Sequence, residues 1–308
     1  PEVELHVPSI GKYAFDNASF ETLTLTEDVR NIDCLAFSEA KIQKLNYNCP
    51  EAELAHVDST STSLFYDAKI SELSLVETMD RIPDYLFANA DLQMKEYVID
   101  REYIGKMAFF GAWSNGVIEN PIDRLTITED VAFIGAKAFG QCKIRNLQYQ
   151  AEVETDAVSS VTGIFYMSDL YGLEVADGVQ TIPDYCFANA KLHIPEYTVT
   201  TPKLGTACFY NAWNAGGVKD EAVSLTVSET VAVIGKGAFA SCEIVELSYQ
   251  SRAELLADST VNGPFYLAEL YDFTFGEPSE EIPAYLFANT EFMEEKNLTI
   301  DMLVGDYA

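Results

Sequence analysis

The stretch Ile234-Gly-Lys-Gly-Ala-Phe-Ala-Ser-Cys242 constrains this chain more than any other, because the chain keeps returning to it. It recurs as Ile134-Gly-Ala-Lys-Ala-Phe-Gly-Gln-Cys142 and as Ile104-Gly-Lys-Met-Ala-Phe-Phe-Gly-Ala112. With Pro in place of Gly it becomes Ile182-Pro-Asp-Tyr-Cys-Phe-Ala-Asn-Ala190. Its central ring falls at Phe15, Phe37, Phe65, Phe87, Phe109, Phe139, Phe165, Phe187, Phe209, Phe239, Phe265 and Phe287. A recurrence every two to three dozen residues is the signature of a solenoid, in which each unit buries its apolar face only against its neighbours.

A second anchor follows each Phe. Pairs such as Leu23/Leu25, Leu45/Tyr47, Leu73/Leu75, Leu125/Ile127, Leu225/Val227 and Leu247/Tyr249 alternate with period two and predict short strands with one buried face. Stacked coil upon coil, these strands form one parallel sheet. Three residues after each Phe stands a small side chain, among them Ala18, Ala90, Cys142, Ser168, Cys242 and Thr290. A tight return against a close-packed core leaves room only for such groups. Gly or Pro after the Ile predicts a corner that opens a short helical turn carrying the Phe, Gly through its tolerance of unusual dihedrals and Pro at a first helical position.

The unit Ile-Gly-x-x-Ala-Phe-x-x-Cys, followed by x-Leu-x-x-Leu-x-Leu, resembles the BspA-like leucine-rich repeat family of bacterial surface proteins, over essentially the whole chain. Pro83, Pro183 and Pro283 depart from the family's Gly, and Gly163-Ile-Phe-Tyr-Met-Ser168 keeps only the Phe and the small residue. The resemblance implies an α/β repeat fold: a right-handed leucine-rich-repeat solenoid with a parallel concave β-sheet, short helical turns on the other side and 12–13 repeats. It also implies a secreted or cell-surface, adhesive protein with a protein partner such as a host matrix or surface protein.

A longer period overlies the short one. Phe65, Phe165 and Phe265 are 100 residues apart, as are Ile82, Ile182 and Ile282. Residues 1–308 therefore read as a single solenoid with internal super-repeats: 1–63 partial, 64–163, 164–263 and 264–308 partial. Loops enlarge at fixed places. Gly111–Pro121 and Asn211–Asp220 carry Trp113 and Trp213, and Cys49–Ser63, Ala151–Gly163 and Ser251–Gly263 have room for a helical turn. Val304-Gly-Asp-Tyr-Ala308 begins another unit, so the expectation is a piece of a longer chain whose targeting and anchoring segments lie elsewhere.

The net charge of −30, from 49 acidic and 19 basic residues, disfavours nucleic acid and anionic membrane surfaces, which both need Lys and Arg. A partner with basic patches fits better. No stretch is long and apolar enough to insert in a membrane, and a monomer is expected. The cysteines do not form a disulfide framework. Cys186 and Cys208 stand just before the Phe of adjacent coils, where a bridge and a pair of free buried thiols are both open.

Candidate binding residues lie between the two buried positions of each strand and face the concave side: Thr126, Gln148, Thr198, Thr226 and Ser248. Thr and Ser also suit an exposed strand for purely structural reasons. Trp113 and Trp213 are candidate loop anchors, or else covers for the core beneath them. The structural core is assigned to Phe87, Phe109, Phe139, Phe187, Phe209, Phe239 and Phe287. No catalytic residue, metal ligand or cofactor is expected: His6, His56 and His193 occupy different repeat positions, and no nucleophile elbow or phosphate loop is present. The expected function is non-enzymatic protein binding or adhesion. The alternatives are a structural spacer and a carbohydrate-active β-helix enzyme.

Overall fold

A computed structural model describes residues 1–114, 121–214, 223–276, 281–293 and 303–304. It divides into two compact units, Pro1–Asp156 and Ala157–Ala308. Each is a stack of parallel-strand coils built on the same plan.

In the first unit the rings of Phe15, Phe37, Phe65, Phe87, Phe109 and Phe139 form one column. Successive centroids are 5.2, 5.3, 5.5, 5.5 and 5.5 Å apart, with interplanar angles of 20° or less. The second unit repeats this with Phe165, Phe187, Phe209, Phe239, Phe265 and Phe287 at 5.1, 5.2, 5.6, 5.3 and 5.8 Å. Offset stacking at this spacing adds aromatic attraction to the burial of each ring. Every ring assigned to the core is buried, Phe287 at the end of its column least so.

The leucine pairs follow the expected alternation. In the first unit Glu2–Leu5, Ser19–Leu25, Lys41–Tyr47 and Lys69–Leu75 pair in parallel, with Leu23, Leu45 and Leu73 in register. Glu96–Ile99, Arg124–Ile127 and Leu147–Tyr149 form a second set. In the second unit Glu196–Val199, Ser224–Val227, Glu243–Tyr249 and Glu269–Phe275 do the same. The sheet is interrupted where Tyr97 follows Phe87 by ten residues, against eight from Phe65 to Leu73. Lys69–Leu75 then pairs onward only through Lys69 and Ile70. Leu73 and Leu75 are accordingly half-buried, whereas Leu23, Leu25 and Leu45 are fully buried.

The expected helical turns are not there: no helix occurs among the described residues, and the Phe segments are tight turns. The reason lies in the backbone. Residues two before and two after the Phe adopt left-handed φ, as at Tyr85 (60°), Asn89 (55°), Tyr185 (58°) and Asn189 (54°), which an α-helix does not admit. Alternate N–H groups also leave the coil. Those of Tyr85, Phe87 and Asn89 donate to the Lys106, Ala108 and Phe110 carbonyls of the next coil, Phe87 to Ala108 at 2.8 Å. Those of Leu86, Ala88 and Ala90 donate three residues back within the coil. The coil-to-coil ladder thus runs through the turn and claims the donors a helix needs. The loops Cys49–Ser63, Ala151–Gly163 and Ser251–Gly263 hold no helix either. Thr62 Oγ1 accepts the N–H groups of Asp58 and Ser59, and Thr162 and Asn262 close the later copies identically.

Two other sequence readings gain a physical basis here. Gly105, Gly135, Gly205 and Gly235 at these corners are selected by close approach, not by unusual dihedrals, whereas Gly11 has nothing within 4 Å of an added Cβ. A Cβ on Gly205 would lie 2.6 Å from the Asp184 nitrogen, and one on Gly235 would lie 2.4 Å from the Gly205 carbonyl carbon. In the preceding Pro corner, Asp184 Oδ1 accepts the Thr206 N–H at 2.7 Å, locking Pro-Asp beneath Gly-Thr. The small residue after the Phe also has a polar role. Cys142 and Cys242 thiols donate to the carbonyls of Phe109 and Phe209 at 3.1 Å, and the Thr290 hydroxyl donates to Phe265 at 3.0 Å.

All six cysteines are free and buried, including Cys186 and Cys208. Burial pushes the Cys142 thiol up to about 12 and Cys49 and Cys242 up to about 11. They stay protonated at neutral and mildly alkaline pH, so the native protein should not react with a thiol-disulfide reagent at pH 8. All six should react after denaturation, and rapid native labelling would contradict the assigned burial. Phe187→Ala and Phe239→Ala should each cost about 3–5 kcal/mol in denaturant unfolding. Gly235→Ala should cost about 1–3 kcal/mol through forced backbone displacement. Gly178→Ala, with nothing within 4 Å of the added carbon, should be near neutral.

Candidate functional site

The outward face of the sheet is built by the same alternation that buries the leucines. On Arg124–Ile127, Leu125 and Ile127 point inward at 0% exposure, and Thr126 between them is half-exposed. Coil pairing then aligns these outward residues. Thr24, Asn46 and Ser74 are in register, as are Val98, Thr126 and Gln148. The second unit aligns Thr198, Thr226, Ser248 and Thr274. Of the five row residues singled out in the sequence, Thr126 and Gln148 are neighbours in the first unit, and Thr198, Thr226 and Ser248 are consecutive in the second. Thr299, further along the same row, lies outside the described residues.

Rungs are tied by side chains as well as backbone. Asn46 Nδ2 donates to Thr24 Oγ1 at 3.0 Å, and Thr126 Oγ1 donates to Gln148 Oε1 at 3.2 Å. Such cross-strand pairs stiffen the row. Gln148 Nε2 stays available as a donor in this arrangement. Glu96–Arg124 at 3.4 Å and Asp123–Arg145 at 3.3 Å border the row in the first unit. Apart from Glu4 and Glu174 the row carries no charge, in a chain of net charge −30. Its chemistry is short-range hydrogen bonding to a surface that meets it at sheet spacing.

The repeats responsible for this face match the model of the BspA type leucine-rich repeat region in six copies, over residues 2–115, 118–215 and 219–304. The chain belongs to the BspA-type leucine-rich repeat family. That family is typical of bacterial surface proteins. No curated protein matches the chain.

The two tryptophans take the covering place. Trp113 is 1% exposed and stacks on Phe109 at 5.5 Å, with Tyr97 at 6.2 Å. Trp213 stacks on Phe209 at 5.6 Å and donates from Nε1 to the Ile194 carbonyl at 3.3 Å. Neither ring is presented to solvent, so the role of loop anchor drops away and the two rings cover the core. The remainder of the two insertions, 115–120 and 215–222, lies outside the described residues.

Two features of this face were passed over in the sequence. The position four residues after the Phe is also outward, and in the first unit it aligns Ser19, Lys41, Lys69 and Asp91. In the second unit Tyr171 stacks on His193 at 4.5 Å, and His193 Nε2 meets Asp169 Oδ1 at 3.0 Å. Counting residues from each Phe reveals both rows, because register between coils is fixed by the ring column. No group of three or more His, Cys, Asp or Glu suited to a metal occurs among the described residues. No helix there is long and apolar enough to cross a membrane.

The row should tolerate substitution while its flanks do not. Thr126→Lys should change unfolding free energy by about 0.5 kcal/mol or less. Leu125→Lys, placing an unpaired charge at a fully buried position, should abolish cooperative folding of its unit in a thermal melt. Equal effects of the two would reverse the assignment of inside and outside.

Proposed function

We propose that this chain is a non-enzymatic protein-binding or adhesion module of a bacterial cell-surface protein, acting outside the cell as a monomer. The observation that carries the reading is the in-register row of hydrogen-bonding side chains on the outward sheet face. It offers repeated Thr, Ser and Gln groups on a rigid support, uncharged over most of its length in a strongly acidic molecule. A rigid, pre-ordered surface loses little conformational entropy on docking, which favours binding without new folding. A host matrix or surface protein is the partner class that fits the family's typical location. Nothing in this reading requires a cofactor or a metal.

The test is retention of individual purified matrix proteins on the immobilised chain. The expected result is saturable binding of at least one, lost in a Thr198→Lys/Thr226→Lys/Ser248→Lys variant that melts like the parent. Saturable binding unchanged by that variant would move the interface off the row. Absence of any retained partner would favour the structural spacer, and chain cleavage in a polysaccharide panel would favour the carbohydrate-active alternative.

A further inference from the structure

The first unit carries a feature at odds with the chemistry of the chain as a whole. Lys41 and Lys69 are directly opposite one another on adjacent parallel strands. Like charges in that relation repel. Both are exposed, and neither ammonium group forms a hydrogen bond or ion pair among the described residues, although acidic groups outnumber basic ones 49 to 19. The acid best placed to neutralise them, Asp91, is in register with Lys69 but accepts a hydrogen bond from Gln93 Nε2 at 3.3 Å instead. Three arginines of this unit are paired: Arg101 with Asp100, Arg124 with Glu96 and Arg145 with Asp123.

The two lysines line a groove of about 500 Å³ on the sheet. Gln43, Ser71 and Gln93 lie beside them, and Phe20 and Ile42 contribute apolar floor. Ser71 Oγ donates to Gln93 Oε1 at 3.1 Å, which fixes the amide. Glu21, at one end, is the only carboxylate in the lining. The corresponding position in the second unit holds no lysine pair: Asp169 is in register with Lys191, and Glu243, Glu269 and Glu291 are in register with one another. The lysine pair is therefore local to one groove and not a property of the repeat.

We propose that this groove is a docking site for an acidic, extended peptide segment of a protein partner, whose carboxylates pair with Lys41 and Lys69 while Gln43 and Gln93 hydrogen-bond its backbone. The charge complementarity selects the carboxylates. The primary amides, each offering both a donor and an acceptor, suit a peptide backbone. The lysine separation of one strand spacing, about 4.8 Å, lets two flexible acidic side chains from one extended segment reach both ammonium groups. This goes beyond the Thr–Ser–Gln row. It rests on the reading of the sheet as a protein-docking face only in the class of partner.

The test is titration of a labelled hexaglutamate peptide into the full chain, followed by fluorescence anisotropy at low and physiological salt. The expected result is saturable one-to-one binding that weakens with salt. Lys41→Gln/Lys69→Gln should weaken it about tenfold or more, as two charge-assisted contacts are lost. A Lys44→Gln/Lys106→Gln variant carries the same change of net charge outside the groove and should bind like the parent. Equal loss in both double variants would overturn the proposal, because a diffuse field and not the groove would be responsible. So would absence of binding, or preference for a hexauronate over the peptide. Matrix-protein retention is scored on different residues, so either result stands or falls without the other.

Discussion

Contact between successive Phe rings is the constraint from which the rest follows. A ring every 22 to 30 residues, each within 5.1–5.8 Å of the next in its unit, fixes how far one coil is displaced from its neighbour. That displacement is close to the spacing of hydrogen-bonded parallel strands, so the ring column and the backbone ladder reinforce each other. The same spacing sets the Gly corners under Pro-Asp corners and brings the small residue after each Phe against the preceding Phe carbonyl. Ala, Cys, Ser and Thr are the side chains that fit there, and those with a thiol or hydroxyl gain a hydrogen bond.

Function enters through what the column leaves outside. Inward positions are dictated by packing and hardly vary in kind. Outward positions inherit the same register free of that demand, so any chemistry written there is displayed in straight rows. One row is hydroxyl- and amide-rich, another holds a cationic pair in the first unit and an acidic run in the second. Recognition on such a face depends on rows spaced by the sheet and not on a deep cavity.

Much of this was legible in the sequence, for a definite reason. Repetition lets each position be judged many times over, so the Phe, the leucine pairs and the small residue declare themselves, and the outward row follows by alternation. The helical turns did not follow. A Phe segment flanked by Ala and Asn reads locally as helix, and only the neighbouring coil, which takes the N–H groups of Phe87 and Asn89, forbids it. Gly105, Gly135, Gly205 and Gly235 were likewise legible as corners, but the reason for them lies one coil away. The tryptophans illustrate the same limit. Their place in an insertion left anchor and cover both open, and their stacking on Phe109 and Phe209 is a tertiary fact. The lysine groove was hidden because its members stand 28 residues apart and become neighbours only through register.

The central claim is the coil-to-coil ring column. It is tested most directly by nuclear Overhauser contacts among selectively labelled Phe rings on an otherwise deuterated chain. The account predicts an unbroken series of contacts in each unit, Phe15 to Phe37 and onward to Phe139, and Phe165 to Phe187 and onward to Phe287. Rings in contact with partners other than those of the adjacent coils, or with none, would contradict it.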